Sequence, residues 1–249
     1  MDIVSFRSPN FARGRKGYRP EAIVIHIMEG TLAGTDSWFA NTQSKVSAHY
    51  GIGVNGEIHS YVQESDTAWH AGRVHAPQWT LIRPGATPGM YLNPNYYTIG
   101  IEHEGKEDSD WTDAMYESSA ALVADIALRW RIPIDRSHVI GHREIYSLKT
   151  CPGTVVKLDK IVEMSQQKAG LLPPADFIAS RGTAVTKVSL NLRKNSPSTK
   201  SPVAKTVVKG TRLSYTGHTE KGEKVNGISR WYMTHDGLWF WAGGVEREM

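Results

Sequence analysis

The sequence predicts an α/β domain, with a central mixed β-sheet flanked by helices, followed by a small all-β domain. Strand-like and helical segments alternate over the first two thirds of the chain, which is typical of a sheet covered by helices. The last third instead shows short β-branched runs separated by turn residues. The proline pair Pro173-Pro174 separates the two patterns. We therefore predict a first domain over 1–168, a linker over 169–183 and a second domain over 184–249.

Each element of the first domain rests on a local pattern. The apolar run 22–28 is dense in β-branched residues, which is typical of a strand covered on both faces. Alternating runs around Asn55-Gly56 predict a hairpin over 49–62 with a tight type I′ turn. Apolar residues at helical spacing predict a helix over 112–131. Further strands are predicted at 97–103 and 138–141, and further helices at 36–41, capped by Asp36, and at 155–168.

Residues 71–95 show no such pattern, since they contain four prolines and three glycines. An irregular segment of this length inside a compact domain is usually functional. We expect it to form a wall or lid of a substrate groove, and a tolerated surface insertion is the alternative.

The composition excludes several classes of protein. Hydrophobic residues make up 40% and charged residues 22% of the 249, which is ordinary globular composition rather than disorder. No run of about 18 apolar residues predicts a membrane span, and the N-terminus has no apolar core typical of a secretory signal. The single cysteine, Cys151, excludes a disulfide within the chain.

Charge is distributed unevenly along the chain. Residues 170–249 contain 12 Lys/Arg and 6 Asp/Glu, whereas residues 1–169 contain 17 and 19. This split indicates that the second domain meets an anionic surface. A solvated surface without a partner explains the charge equally well.

Three residues form a candidate metal site. His26 lies inside an apolar strand, where a histidine is more often a hydrogen-bonded core residue than a ligand. His142 ends a predicted strand, and Cys151 follows nine residues later, before Pro152-Gly153. A short loop can bring an imidazole and a thiolate onto one ion, and a catalytic zinc typically keeps three protein ligands and one open position. An inert buried cysteine in a structural loop is the alternative.

Five strings occur in a distinctive order: IVIH, SAHYGIGVNGEIHSYV, AWHAG, YYTIGIEHEG and HVIGHREIYSLKTCPG. Over roughly residues 20–165 they resemble the zinc amidase family that shares its fold with the peptidoglycan recognition proteins and the phage lysozyme-type amidases. The resemblance implies a zinc-dependent N-acetylmuramoyl-L-alanine amidase. Such an enzyme uses zinc-activated water to cleave the amide bond between N-acetylmuramic acid and L-alanine of the stem peptide in peptidoglycan.

The resemblance also implies roles for single residues. It makes His26, His142 and Cys151 the zinc ligands, with Zn²⁺ as the cofactor; some members have aspartate at the third position. It makes Glu102 the general base and places Lys149 at the reacting carbonyl. Another branch uses a tyrosine just before the histidine of the hairpin strand, where this chain has Ala48. Glu104 lies two residues beyond Glu102 on the same face and remains an alternative base.

Four residues are predicted to contact substrate. His70, in AWHAG, matches a family histidine that helps to bind the muramyl-peptide, and Asn95 matches a substrate-contacting asparagine. Trp69 and Trp79 have indole faces on which sugars can stack, although plain packing is as common for an aromatic residue.

The second domain resembles a bacterial SH3-like module, which implies binding to the cell wall. The resemblance lies in the segments 189–193, 207–211, 231–232 and 236–241. The domain also has a cluster of five aromatic residues, which line a ligand groove or form the domain's own core: Trp231, Tyr232, Trp239, Phe240 and Trp241.

These expectations leave two competing functions. A non-catalytic peptidoglycan-binding recognition protein would lack zinc ligands, usually the cysteine, which this chain keeps. A cytoplasmic recycling amidase for anhydro-muropeptides agrees with the absence of a visible signal peptide but not with an added wall-binding domain. We expect a monomer acting at the bacterial cell wall on peptidoglycan, with anionic wall polymers as further partners and no nucleic acid. The sequence does not distinguish an endolysin, an autolysin and a secreted toxin-like amidase.

Overall fold

The computed structural model of the chain describes residues 1–171, 173–174 and 176–247. The chain divides into two units, Met1–Ser165 and Gln166–Met249. Each has its own sheet and its own hydrophobic core.

A six-stranded mixed sheet forms the centre of the first unit. The strands of this unit are β1 (Val4–Ser5), β2 (Phe11–Ala12), β3 (Ala22–Ile27), β4 (Tyr50–Ile52), β5 (Ile58–Ser60), β6 (Thr67–Ala68), β7 (Thr98–His103) and β8 (Val139–Gly141). The order in the sheet is β1-β5-β4-β7-β3-β8, and β2 pairs separately with β6. Only β4 and β5 pair antiparallel in the large sheet, so the predicted central mixed sheet is confirmed.

Helices cover both faces of this sheet. Helix α1 (Leu32–Ala40) packs on one face through Asp36, which contacts His59 of β5. Helix α2 (Asp113–Trp130) packs on the other, where Ser119 contacts His103 of β7. The third helix, α3, spans Leu158–Lys168. Among the described residues, no helix is both long enough and apolar enough to cross a bilayer.

Two local predictions were wrong in detail. Helix α1 begins at Leu32 with Thr31 as its N-cap, so Asp36 lies inside the helix. The carboxylate of Asp36 instead contacts the ring of His59 in β5 and accepts a hydrogen bond from the hydroxyl of Tyr61. In the hairpin only Gly56 has a positive φ, +80°, and its N–H bonds to the carbonyl of Gly53 at 2.9 Å. That geometry is a type I turn followed by a left-handed glycine, rather than a type I′ turn.

Strand register places the chemistry on one row of the sheet. His26 of β3 pairs with Glu102 of β7, which in turn pairs with Gly51 of β4. Paired residues of neighbouring strands point to the same face. On the other side of β3, Gly141, the last residue of β8, pairs with Ile25. His142 therefore follows directly after the end of β8, next to the level of His26.

The second unit is an antiparallel sheet of seven strands. They are β9 (Ile178–Thr186), β10 (Leu190–Arg193), β11 (Val203–Val207), β12 (Arg212–Thr219), β13 (Trp231–Met233), β14 (Trp239–Trp241) and β15 (Val245–Arg247), in the order β11-β10-β14-β13-β12-β9-β15. The predicted all-β character is confirmed. Strand β9 begins inside the segment predicted as a linker, because its first residues pair with β12.

The aromatic cluster of the second unit is mainly core. Trp231, Tyr232, Trp239 and Phe240 are each at most 3% exposed. Only Trp241 is half-buried. Of the two alternatives left by the sequence, the core explains these four side chains.

Candidate active site

His26, His142 and Cys151 come together at one end of the parallel strands. Their ligand atoms all lie within 4.8 Å of one another. The Sγ of Cys151 lies 3.7 Å from Nδ1 of His26, and the rings of His26 and His142 are 4.6 Å apart. Residues 125 positions apart in the chain therefore form one cluster.

The loop after β8 holds Cys151 in place. The N–H of Arg143 donates to the carbonyl of Cys151 at 2.8 Å, and the Arg143 guanidinium bonds to the carbonyl of Gly153. Gly153 has φ +108°, and a Cβ there would lie 2.2 Å from the carbonyl oxygen of Glu107. Only glycine allows this approach, which explains the glycine two residues after Cys151.

Burial shifts the pKa values of all three candidate ligands toward their neutral forms. Desolvation lowers the pKa of His142 to about 4, with help from Lys149, and lowers that of His26 well below its usual range. Both imidazoles are therefore neutral and can bind a metal. Desolvation raises the pKa of the Cys151 thiol to about 12, so a thiolate at this position needs a bound cation.

The donor set and the separation between His26 and Cys151 fit zinc. Zn–N bonds of about 2.0–2.1 Å and a Zn–S bond of about 2.3 Å, set at a tetrahedral angle, place nitrogen and sulfur about 3.6 Å apart. The observed separation between His26 and Cys151 is 3.7 Å. Catalytic zinc sites take three protein ligands from histidine, cysteine and carboxylate side chains, and two imidazoles with one thiolate are of these types.

Glu102 and Lys149 line the same cavity as the cluster, which has a volume of about 650 Å³. Oε1 of Glu102 lies 4.0 Å from Nδ1 of His26, and its Oε2 is buried with no hydrogen-bond partner. Burial raises the pKa of this carboxyl to about 8, although Lys149 acts in the opposite direction. In its ionised form this carboxyl, with an unpartnered oxygen beside a candidate metal site, can take a proton from water.

Glu104 is occupied elsewhere. Its Oε2 accepts a hydrogen bond from the N–H of Val54 at 2.9 Å, in the hairpin turn. It is absent from the residues that line the cavity in the described part of the chain. The geometry therefore favours Glu102 over Glu104 as a base.

The four predicted substrate residues occupy different environments. Trp69 and His70 line the cavity. Asn95 is buried behind His70, and its Oδ1 accepts from the N–H groups of His70 and Ala71. Asn95 therefore orients the AWHAG segment from behind.

Trp79 lies in the core rather than in the cavity. It is 3% exposed, stacks on Tyr97 and donates its indole N–H to the carbonyl of Ser137 at 2.8 Å. A buried indole face offers no surface to a sugar, so the predicted stacking role was wrong. Among the described residues, the segment 71–95 contributes none to the cavity lining. Ala71 and Trp79 are buried in the core, whereas most of the segment is exposed, so its role as a groove wall or lid stays a prediction.

Sequence reasoning missed two features of the site. Trp38 of α1 is 55% exposed and lines the cavity, but periodicity in so short a helix does not show which side chain faces a groove. Arg15 is 5% exposed and donates to the carbonyls of Asn95 and Thr98. Its neighbours in sequence are basic and exposed, so nothing local distinguishes it from a solvated arginine.

Comparisons with known proteins agree with this geometry. Residues 16–154, more than half of the chain, match the family model Amidase_2, described as N-acetylmuramoyl-L-alanine amidase. N-acetylmuramoyl-L-alanine amidase A of Achromobacter lyticus is 40% identical over 111 residues, which cover 43% of this chain and 51% of that protein. The 1,6-anhydro-N-acetylmuramyl-L-alanine amidase AmpD of Haemophilus influenzae is 33% identical over 103 residues, covering 41% and 49%. The chain thus spans about half the length of these curated relatives.

A solved structure shows the same fold. The crystal structure of a selenomethionine AmpD derivative superposes with a TM-score of 0.53 at 26% identity, covering 65% of this chain and 93% of that one. The resemblance to the amidases is therefore confirmed by family and by fold. With more than half of its length matched by one family model, the chain belongs to the N-acetylmuramoyl-L-alanine amidase family Amidase_2.

Proposed function

We propose that the chain is a zinc-dependent peptidoglycan hydrolase that cleaves the amide bond between N-acetylmuramic acid and L-alanine. The observation that carries the proposal is the convergence of His26, His142 and Cys151 beside a buried carboxylate in one cavity. These three residues would hold the ion. When bound, zinc lowers the pKa of a water molecule and polarises the scissile carbonyl.

The chain's own residues do the remaining chemistry. Glu102 takes a proton from the attacking water and returns it to the nitrogen of the leaving L-alanine. Attack builds negative charge on the carbonyl oxygen, and the ammonium of Lys149 stabilises that charge at the cavity wall. The division of roles follows from charge, since Glu102 can accept a proton and Lys149 can only donate one.

Mass spectrometry of digested, purified peptidoglycan tests the bond specificity. We expect free stem peptides with an L-alanine N-terminus, together with glycan strands that keep their lactyl groups. New reducing sugar ends, or cuts within the peptide, would contradict the proposal. If the protein contains no zinc and releases no dye from labelled wall, a non-catalytic peptidoglycan-binding protein becomes the better description.

Lys149→Met tests the role of the ammonium. We expect kcat to fall by about 10²–10³-fold with little change in KM, because the charge acts on the oxyanion rather than on the bound substrate. Zinc content should stay at the wild-type level. Lys106→Met, which removes another exposed lysine outside the cavity lining, is the matched control and should behave as wild type.

The glycan is proposed to lie against Trp38 and Trp69. Both line the cavity, and Val46 adds an exposed apolar side chain to the same wall. Indole faces provide large, rigid contact areas for the apolar faces of sugar rings. This placement keeps a sugar role for Trp69 and assigns to Trp38 the role that the sequence assigned to Trp79.

Trp38→Ala should raise KM for polymeric wall by about two- to tenfold, the equivalent of one aromatic contact. The KM for a muramyl-dipeptide, which carries a single sugar, should change less, and kcat should stay constant. Tyr91→Ala removes another exposed aromatic ring, one outside the cavity lining, and serves as control. Equal effects on both substrates would show that Trp38 does not bind the glycan.

A second candidate substrate comes from the relatives. The AmpD proteins among them are named for 1,6-anhydro-N-acetylmuramyl-L-alanine. The same catalytic residues can serve a soluble anhydro-muropeptide. The ratio of kcat/KM values for anhydro-muropeptide and intact wall distinguishes a recycling enzyme from a wall hydrolase.

The second unit is proposed to be an SH3-like wall-binding module. Its antiparallel sheet surrounds a small core that includes Leu192 and Phe240, and residues 170–249 carry twice as many basic as acidic residues. Edge strand β11 is almost fully exposed. Binding to anionic wall polymers would raise the local enzyme concentration on an insoluble substrate. Co-sedimentation of the full chain with walls, before and after extraction of anionic polymers, tests this role.

A further inference from the structure

His70 makes its closest contact with a zinc-ligand candidate. Its Nδ1 lies 3.0 Å from Nε2 of His26, and the two rings meet edge to face with centroids 5.1 Å apart. Nδ1 of His26 faces the other way, toward Cys151. The two nitrogens of His26 thus face the metal cluster and His70 respectively.

This arrangement fixes the direction of each hydrogen bond. If Nδ1 of His26 binds a metal, its Nε2 must carry the proton and donate it to Nδ1 of His70. Nε2 of His70 then carries a proton, and it lies 3.4 Å from Oγ1 of Thr98. Thr98 in turn donates its hydroxyl proton to the carbonyl of Pro94 at 2.8 Å. Every donor in this series of hydrogen bonds therefore has an acceptor.

The surroundings hold His70 in this orientation. Asn95 Oδ1 accepts the N–H groups of His70 and Ala71, at 3.2 and 2.7 Å. Beneath the ring lies Gly100, where a Cβ would come within 2.6 Å of the imidazole. The sheet therefore leaves a space at Gly100 that the His70 ring fills.

We propose that His70 is a positioning residue that fixes the tautomer and ring orientation of His26, and so sets the affinity of the site for zinc. The inference rests on the proposed zinc site. Metal-bound histidines usually donate their second N–H to a carboxylate, carbonyl or water, and loss of that partner typically lowers metal affinity by about 10–100-fold. Here a second imidazole takes that place, and it is in turn held by Thr98.

The same geometry argues against direct substrate binding by His70. Nδ1 contacts His26 and Nε2 contacts Thr98. An imidazole has two nitrogens, so neither remains to bond a muramyl-peptide.

Zinc affinity, measured by competition with a chelator, tests the proposal independently of activity. His70→Leu removes the acceptor and should weaken zinc binding by about 10–100-fold. His70→Asn places Oδ1 where Nδ1 was and should retain affinity within a few-fold. His75→Leu, which removes an exposed histidine near Ser147, controls for the loss of any imidazole and should bind zinc as wild type does.

Kinetics separate positioning from substrate binding. At saturating zinc, His70→Leu should recover most of its kcat with an unchanged KM. A raised KM with wild-type zinc affinity would overturn the proposal and restore the substrate role. Equal loss of affinity in the Leu and Asn variants would also overturn it.

Two further measurements distinguish the loss of this contact from a folding defect and from a wild-type protein without zinc. Melting of the zinc-free proteins shows whether His70→Leu folds; if it does not, His70→Ala, a smaller truncation that also removes the acceptor, should still weaken zinc binding. Unchanged affinity in that variant, with His70→Leu unfolded, would count against the proposal. A wild-type protein that binds no zinc would instead refute the proposed function itself.

Discussion

Cys151→Ala is expected to abolish zinc binding and hydrolysis together. The thiol is the third ligand atom of the cluster, 3.7 Å from His26 Nδ1, and two imidazoles alone do not complete a catalytic zinc site. Since zinc contributes several kcal/mol to the transition state, activity should fall by about 10³-fold or more. Metal analysis and dye release from purified wall measure the two losses.

Stability provides an independent readout for the same variant. Ligands that bind only the folded state stabilise it, so zinc should raise the melting temperature of the wild type but not that of Cys151→Ala. Cys151→Asp is the matched variant, because a carboxylate is also a zinc ligand, and it should keep part of the zinc and of the activity. An active, zinc-free Cys151→Ala protein would refute the ligand assignment.

Glu102→Gln should keep zinc and lose most turnover. The amide has nearly the shape of the carboxylate but cannot accept a proton, and loss of a general base typically lowers kcat by about 10²–10⁴-fold. Glu102 is not among the three ligand atoms of the cluster, so metal content should be unchanged. Single-turnover rates and zinc analysis of the same preparation separate the two effects.

Glu104→Gln is the control for that experiment. Its carboxylate bonds to the hairpin backbone, so its loss should leave kcat close to the wild-type value. If Glu104→Gln loses turnover while Glu102→Gln keeps it, the base has been misassigned. A loss of zinc in Glu102→Gln would mean that this carboxylate belongs to the metal site.

Local sequence patterns predicted most of the elements correctly. The β-branched run at β3 and the helical periodicity of α2 are properties of neighbouring residues, and the structure has a strand and a helix there. The hairpin was predicted, but its turn was not, because Asn-Gly is compatible with more than one turn type. Helix α1 was predicted to start too late, since Asp36 looked like a cap and is in fact a half-buried partner of His59.

Side-chain depth was the least predictable property of the site. Trp79 and Trp38 are the same residue type, yet one is 3% and the other 55% exposed. Nothing within a few residues of either encodes this difference, because burial depends on which distant elements pack above the side chain. His70 illustrates the same point, since its string indicated a functional histidine while its contact with His26 exists only in the folded chain.

The sequence by itself determined the chemistry that is available: two histidines and a cysteine as metal donors, a carboxylate and a lysine, and an order of strings typical of one amidase family. Only the tertiary structure decided how those groups are used. Strand pairing set His26 beside Glu102, and loop closure brought Cys151 to His26 across 125 positions of the chain. Both are long-range contacts, whose geometry depends on the packing of the whole sheet rather than on neighbouring residues.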